Sequence, residues 1–368
     1  MKATGRMIID SPPGAELAMP SSPDLKDFDQ RQLIDFLASL GQPAFRGRQV
    51  MAWLYRYGID SPAQMTDLAK SCRELLAANA VISRFDDPIA QKSRDGSVKF
   101  GFRLDDGHLI ESVLIPEEDR NTLCISSQVG CAMGCAFCLT AKIGFIRNLR
   151  PAEIVNQVCA VRDYLVEQPQ NSLIGPDRVT NLVFMGMGEP LNNLSHVVTA
   201  ISILTEQRGF DLTGRRITVS TCGIVPKMRE LGERCAANLA VSLHAVDDRL
   251  RDRLMPVNRR YPVAELLAAC RSYPMPKRRR IMFEYLMLKG VNDSEDDARS
   301  LAVKLRGIPC KINLLPFNEC QDSPYVCSDM DAILRFQKIL LAAHYSVFIR
   351  QSRGGDIAAA CGQLAGQL

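Results

Sequence analysis

The 368 residues contain no run of about 18 uncharged apolar residues, so no segment reads as a membrane-crossing helix. The opening stretch, MKATGRMIIDSPPG, also lacks the apolar core of a secretory signal, and a cytoplasmic chain is expected. A charge bias is nearly absent: 45 basic residues against 41 acidic ones leave a net +4. That balance permits nucleic-acid binding without demanding it. Histidine is scarce, and the four present (His108, His196, His244 and His344) show none of the spacing of a zinc knuckle. Beyond an alternation of strand and helix patterns there is no repeat. With 46% hydrophobic and 23% charged residues, disordered and collagen-like classes drop out for most of the chain.

Cysteine, by contrast, is plentiful. Thirteen cysteines in a chain expected in a reducing compartment point to metal binding, catalysis or burial in preference to structural disulfides.

At roughly 150 residues per domain, the length allows two or three domains or one large α/β barrel with additions. Residues 1–25, rich in proline and small polar residues, read as a flexible tail. Residues 26–90 read as a small helical module built from LIDFLASL, FRGRQVMAWLYRYG and SPAQMTDLAKSCRELLAAN, each with helical periodicity. Residues 91–121 read as a β-hairpin extension turning at Asp106-Gly107. From 122 to 368, seven short β-rich runs (CISS, VTNLVFMG, RITVSTC, LAVSLHA, RIMFEYLML, KINLLPF and SVFIRQS) alternate with amphipathic helices. This predicts a parallel sheet or partial barrel with its chemistry at the strand C-termini.

The sharpest feature is Cys131-Ala-Met-Gly-Cys135-Ala-Phe-Cys138, placed after the first of these runs. Three thiolates at C-x3-C-x2-C, with no fourth cysteine in the loop, suit a four-iron cluster that keeps one iron open. The open iron can chelate the amino and carboxylate groups of S-adenosylmethionine (SAM), whose reduction releases a 5′-deoxyadenosyl radical. The alternatives are a zinc site, which usually adds a fourth Cys or His, and inert buried cysteines.

This stretch resembles the radical SAM superfamily, and its surroundings are closer still to the RlmN/Cfr-type RNA adenine methyltransferases. The matching segments, in order, are SSQVGCAMGCAFCLTAKIGFIRNL (126–149), FMGMGEPLNN (184–193), RRITVST (215–221), VSLHA (241–245), RLMPVNRRY (253–261), FEYLMLKGVND (283–293), NLLPFNE (313–319) and DIAAACGQLAG (356–366). The likeness runs from about Phe28 onward. It implies an α/β fold: a partial (β/α)6 radical SAM barrel with a small N-terminal helical accessory domain, which could bind RNA, and a β-hairpin extension. It also implies a 4Fe-4S cluster on Cys131, Cys135 and Cys138, and two SAM molecules per turnover.

By resemblance, SAM is held by Gly188, Glu189, Ser220, Ser242, Leu243, His244 and Asn318. Read alone, Gly188 and Glu189 mark a tight turn, His244 a satisfied core histidine and Asn318 a turn residue. The likeness further implies that Cys361 takes a methyl group from one SAM, and that the radical from a second then removes a hydrogen from that methyl. The resulting carbon joins an electron-poor carbon of adenine. Cys124 frees the product by forming a disulfide with Cys361, and barrel closure between first and last strands would bring the two thiols together. Glu111 matches the base that removes the ring proton. Otherwise the two cysteines read as small buried hydrophobes, and Glu111 as an outward-facing strand carboxylate.

Cys72, Cys159, Cys222, Cys235, Cys270, Cys310, Cys320 and Cys327 match no motif and read as buried or incidental; Cys222 stands where the family commonly has serine, near the expected cofactor site. Lys277 to Arg280, Arg215-Arg216, and Arg251, Arg253, Arg259 and Arg260 form local basic clusters, either solvated faces or phosphate contacts. Trp53, Tyr55 and Tyr57 read either as an RNA-facing surface or as the core of the helical module.

The implied reaction is methylation of adenine C2 in 23S ribosomal RNA and in the adenosine just 3′ of the anticodon of some tRNAs. The close alternative is C8 methylation, as in the Cfr subtype; one from another class is a zinc-stabilised RNA-binding protein without catalysis. The target base would be extruded from its stack. An outside electron donor such as flavodoxin or ferredoxin, no membrane partner and a monomeric state are expected.

Overall fold

The computed structural model describes residues 22–167, 178–319 and 323–366. Most of the expected tail (1–21) and Cys320 lie outside them. The N-terminal module has three helices, α1 (Gln30–Ser39), α2 (Phe45–Tyr55) and α3 (Lys70–Asn79). Asp29 and Gln32 close a capping box that starts α1. Leu33, Leu37, Val50, Met51, Leu54 and Leu76 form the apolar face these helices share. Tyr55 is buried and packs on Phe210. Trp53 is half-buried and bonded to Asp67, and Tyr57 is exposed, so of the three aromatics Tyr55 is core and Tyr57 surface.

An antiparallel meander follows: β1 (Ile89–Lys92), β2 (Val98–Arg103) and β3 (Leu109–Glu117), with the turn at Asp106-Gly107 where it was expected. Strand β3 pairs antiparallel with β4 (Arg120–Cys124), which begins the parallel region. Of the CISS run only Cys124 lies in β4, which starts four residues earlier. Next come β5 (Gln128–Gly130), the short helix α4 (Leu139–Ile143) and β6 (Phe145–Asn148); β5 and β6 pair as a separate two-stranded sheet. Helix α5 (Pro151–Glu167) is docked onto the N-terminal module by Asp27, which accepts from Ala152 N–H and pairs with Arg150 at 2.7 Å.

The chain then alternates β7 (Asn181–Phe184), α6 (Leu194–Thr205), β8 (Ile217–Thr221), α7 (Val225–Arg234), β9 (Asn238–Ser242), α8 (Asp248–Leu254), α9 (Val263–Arg271), β10 (Ile281–Met287), α10 (Glu295–Lys304), β11 (Cys310–Pro316), α11 (Met330–Ala342) and β12 (Ser346–Ile349). Strands β4 and β7 to β12 pair in parallel, giving six β/α units and a final strand. The sheet has free edges at β1 and β12 and does not close on itself. Closure therefore cannot unite Cys124 with Cys361. The segment after β12 does so instead, by folding back over the strand C-termini, and this is a correction to the sequence reading.

Candidate active site

The concave side of the parallel sheet encloses a cavity of about 700 Å³. Its wall follows from strand alternation. Thr218, Ser220 and Cys222 face it from β8 and its end, Met282, Glu284 and Leu286 from β10, and Asn313, Leu315 and Phe317 from β11 and its end. Cys131, Cys135, Cys138, Gly188, Glu189, Ser220, Ser242, His244 and Cys361 all line this one space.

The cysteine loop is held by its own backbone. Gly130 has φ +70°, and a Cβ there would lie 1.8 Å from the carbonyl oxygen of Gly144. That close approach lets Cys131 N–H donate to the same oxygen at 2.9 Å. On the other side Ala136 N–H donates to Leu254 O at 2.9 Å, and Phe137 meets the His244 ring edge-on. Burial pushes the Cys131 thiol up to about 12 and Cys135 well above its usual value; the charge of Cys138 raises both further, and that of Cys131 raises Cys135. Thiols so placed need a cationic centre to ionise.

Among the described residues no three Cys, His, Asp or Glu side chains converge on a single-ion site. Three cysteines at this spacing, on one loop, would suit a four-iron cluster that keeps one iron open. His244 does not offer a fourth ligand readily. Its Nδ1 accepts from Leu286 N–H at 3.1 Å, which puts the neutral ring's proton on Nε2, and burial next to Arg251 lowers its pKa to about 3.

Glu189 is buried and gripped by two amides, Leu191 N–H on Oε1 (3.0 Å) and Cys222 N–H on Oε2 (2.8 Å). Burial raises its pKa and these bonds oppose the rise. Gly188, at φ +101°, lies so close to Gln128 that a Cβ would meet the Gln128 Cβ at 2.5 Å. The carboxylate is thus fixed beside the thiols, where an ammonium group would find an acceptor. Leu243 is fully buried outside the cavity wall; its N–H bonds Glu284 O and its carbonyl accepts from Arg251. Asn318 is half-buried one residue past Phe317, also outside the wall.

Cys361 is an exposed residue that lines the cavity, and the protein packed around its sulfur lifts the thiol to about 11. Cys124 is buried at the end of β4, its thiol raised by burial and then by the charge of Cys361, so the two sulfurs are within electrostatic reach. Glu111 is buried and faces inward. Lys99 Nζ lies 3.5 Å from its Oε1, and Ala365 N–H donates to its Oε2 at 2.9 Å. The outward-facing alternative is therefore excluded.

Further bonds seat the Cys361 loop: Thr140 Oγ1 to Leu364 O (2.6 Å), Gly354 N–H to Asp95 (2.8 Å) and Ser93 Oγ to Asp356 (2.5 Å). Sequence reasoning missed Glu284, Asn313 and Arg350, which also line the cavity. Of the unassigned cysteines, Cys72, Cys159, Cys222, Cys270 and Cys310 are buried, and Cys235 and Cys327 half-buried.

The basic clusters separate. Arg251 is no phosphate contact: it is fully buried and donates to the carbonyls of Leu243, Cys222 and Ser242 and to Asn258 Oδ1. Arg253, Arg259 and Arg260 are exposed on the segment whose Leu254 carbonyl bonds the cysteine loop, at that end of the cavity. Lys277 to Arg280 precede β10 and therefore lie at the opposite end, with Arg280 bonded to Ser346 at 3.1 Å. Arg215 and Arg216 precede β8 and line that far end of the cavity. Among the described residues, no helix is long and apolar enough to cross a membrane.

Comparison with known proteins agrees with this geometry. Residues 23–82 match the ribosomal RNA large subunit methyltransferase N-terminal domain, and residues 125–302 match the radical SAM superfamily. The chain is 68% identical over 342 residues to the dual-specificity RNA methyltransferase RlmN of Desulfotalea psychrophila, covering 93% of this chain and 94% of that one. It is 53% identical to the RlmN of Geobacter sulfurreducens, covering 94% and 92%. A crystal structure of a radical SAM methyltransferase from Sphaerobacter thermophilus superposes with a TM-score of 0.85 at 42% identity, covering 94% of this chain and 100% of that one. The chain belongs to the RlmN family of dual-specificity RNA methyltransferases, within the radical SAM superfamily.

Proposed function

We propose that this protein methylates C2 of an adenosine in 23S ribosomal RNA and of the adenosine just 3′ of the anticodon in tRNAs, through an S-methylcysteine at Cys361. One observation carries the reading: Cys361 opens onto the same cavity as the three loop cysteines, with Cys124 in electrostatic reach behind it. Cys131, Cys135 and Cys138 would hold the 4Fe-4S cluster. Gly188, Glu189, Ser220, Ser242 and His244 would hold SAM, with Leu243 contributing its backbone from behind the wall and Asn318 contributing from the loop beyond β11. Bound there, cluster and SAM supply a methyl group and, from a second SAM, the power to remove a hydrogen from an unactivated carbon.

The chain's own residues do the rest. Cys361 sulfur accepts the methyl and presents it to the adenine, whose C2 the activated carbon then joins. Glu111, pinned by Lys99 and the Ala365 amide, takes the ring proton. Cys124 gives up its proton and attacks the Cys361 sulfur; the S–S bond forms as the S–C bond breaks, and the carbon leaves with that bonding pair and takes up a proton to complete the methyl group. Arg253, Arg259 and Arg260 stand where phosphates of an RNA entering the cluster end would pass. The protein would act as a monomer, with reducing equivalents from flavodoxin or a ferredoxin.

The name shared by the relatives favours C2 over C8, the Cfr-type position, although the same residues would serve either. Nucleoside mass spectrometry of rRNA and tRNA after anaerobic reaction with methyl-labelled SAM decides. Labelled 2-methyladenosine is expected, 8-methyladenosine would move the protein to the other subtype, and SAM cleavage without either nucleoside would refute the substrate.

A further inference from the structure

Glu284 sits at the centre of an otherwise apolar strand, where a carboxylate is costly unless it is held or used. Met282, Glu284 and Leu286 face the cavity from β10, while Phe283 and Tyr285 are buried behind. Its Oε1 accepts from Asn313 Nδ2 at 2.9 Å. Around it, β9 presents Ser242, opposite it in register, and His244, whose Nδ1 is already engaged. Strand β11 presents Asn313, the residue after β12 is Arg350, and the C-terminal loop brings Cys361. Glu111 is held by Lys99 and the Ala365 amide, and under the proposed function it takes the ring proton of the adenine, not the thiol proton.

A thiol is a poor nucleophile until it loses its proton. We propose that Glu284 is the general base that takes the Cys361 thiol proton as the sulfur accepts its methyl group. This rests on the reading of Cys361 as the methyl carrier. The proton passes to a Glu284 oxygen and its bonding pair stays on sulfur. A sulfur lone pair forms the new bond to the methyl carbon, while the sulfonium C–S bond breaks and leaves its pair on S-adenosylhomocysteine. One carboxylate and one sulfonium become a neutral carboxyl and two neutral thioethers, so the step removes two opposite charges from an enclosed site.

Burial lifts Glu284 to about 7, against the Asn313 hydrogen bond and Arg350. A base near neutrality is well matched to the task. Glu284 and Cys361 line the same cavity, and after burial the Glu284 charge is the next cause that raises the Cys361 thiol, so the two groups lie within electrostatic reach of each other.

The test is Glu284→Gln in full-length, cluster-reconstituted protein given SAM without reductant or RNA, with methylation of Cys361 followed by peptide mass spectrometry. At neutral pH the rate should fall about 10²-fold or more and recover as pH rises, with SAM binding by equilibrium dialysis unchanged. In cluster-free protein, where water reaches the open cavity, iodoacetamide should alkylate Cys361 faster in the variant, because a neighbouring negative charge is gone. A merely structural role would not move the two readouts in opposite directions. An unchanged methylation rate overturns the proposal, as does a loss matched by weaker SAM binding. Should Glu284→Gln not fold, Glu284→Asp must slow methylation, and a wild-type rate there overturns it equally. A wild-type protein whose Cys361 is never methylated refutes the carrier reading itself.

Discussion

The backbone N–H of Leu139, the residue after Cys138, donates to the carbonyl oxygen of Gly362, the residue after Cys361, across 2.8 Å. Two loops from opposite ends of the barrel sequence are thus joined at the residues that follow Cys138 and Cys361. Stripping iron, by chelation or by Cys138→Ala, should therefore speed amide exchange at 361–365 in hydrogen–deuterium mass spectrometry. Identical protection with and without iron would mean that the loops are not coupled.

Cys361→Ala should keep its iron and lose all RNA methylation; retained turnover would sink the carrier scheme. Cys124→Ala should instead leave RNA covalently on Cys361, visible as a slow-migrating species that nuclease collapses. Free, unmodified RNA with no adduct would remove Cys124 from the release step.

Reversing Arg253, Arg259 and Arg260 to glutamate should weaken RNA binding and flatten its dependence on salt. The same reversal of Lys277 to Arg280, at the far end of the strands, should change the salt slope much less. Equal effects would show that RNA wraps both ends of the barrel.

Arg147 on β6 binds Glu153 through two hydrogen bonds of 2.9 Å and also pairs with Asp106 of the hairpin turn. Arg147→Met should cost about 2–3 kcal/mol in denaturant unfolding, because it leaves the buried Glu153 with only the Arg150 amide, at 2.7 Å, as its hydrogen-bond partner there. Burial works against ionisation of Asp106, but the Arg147 and His108 bonds outweigh it and hold its pKa near about 2, below the usual 3.8. A carboxylate depressed on folding stabilises above its unfolded pKa and loses that contribution as pH falls through the folded one. The stability gap between wild type and Asp106→Asn should therefore be constant above about pH 4 and close toward about pH 2; a gap that persists in acid would contradict this.

The parallel strands and the three-cysteine loop were legible because both are local patterns, an apolar run or a fixed spacing. What escaped was set by direction and distance. Arg251 reads as one of a basic group, and nothing local reveals that its guanidinium points inward to three carbonyls. Strand β1, whose four residues are all exposed, has no apolar signature. Glu284 and Asn313 did carry a signal, a polar residue in the middle of FEYLM and KINLLP, but only the inward face of the sheet gives it meaning. Glu111 was reached through family likeness, and its inward orientation depends on Ala365, 254 positions away.

Those long separations bear on how the protein comes to its final form. The Cys361 loop is tied by Asp356 to Ser93, 263 positions away, and by Ala365 to Glu111. Contacts of such span close slowly, after the neighbouring strands and helices have found one another. A folding chain should thus pass through a stage with the sheet formed, the cysteine loop exposed to incoming iron and sulfide, and the last loop still adrift. In the finished protein the same few bonds can part without unfolding the sheet. Of all its reactive groups, Cys361 should be the last to find its place during folding and the first to leave it.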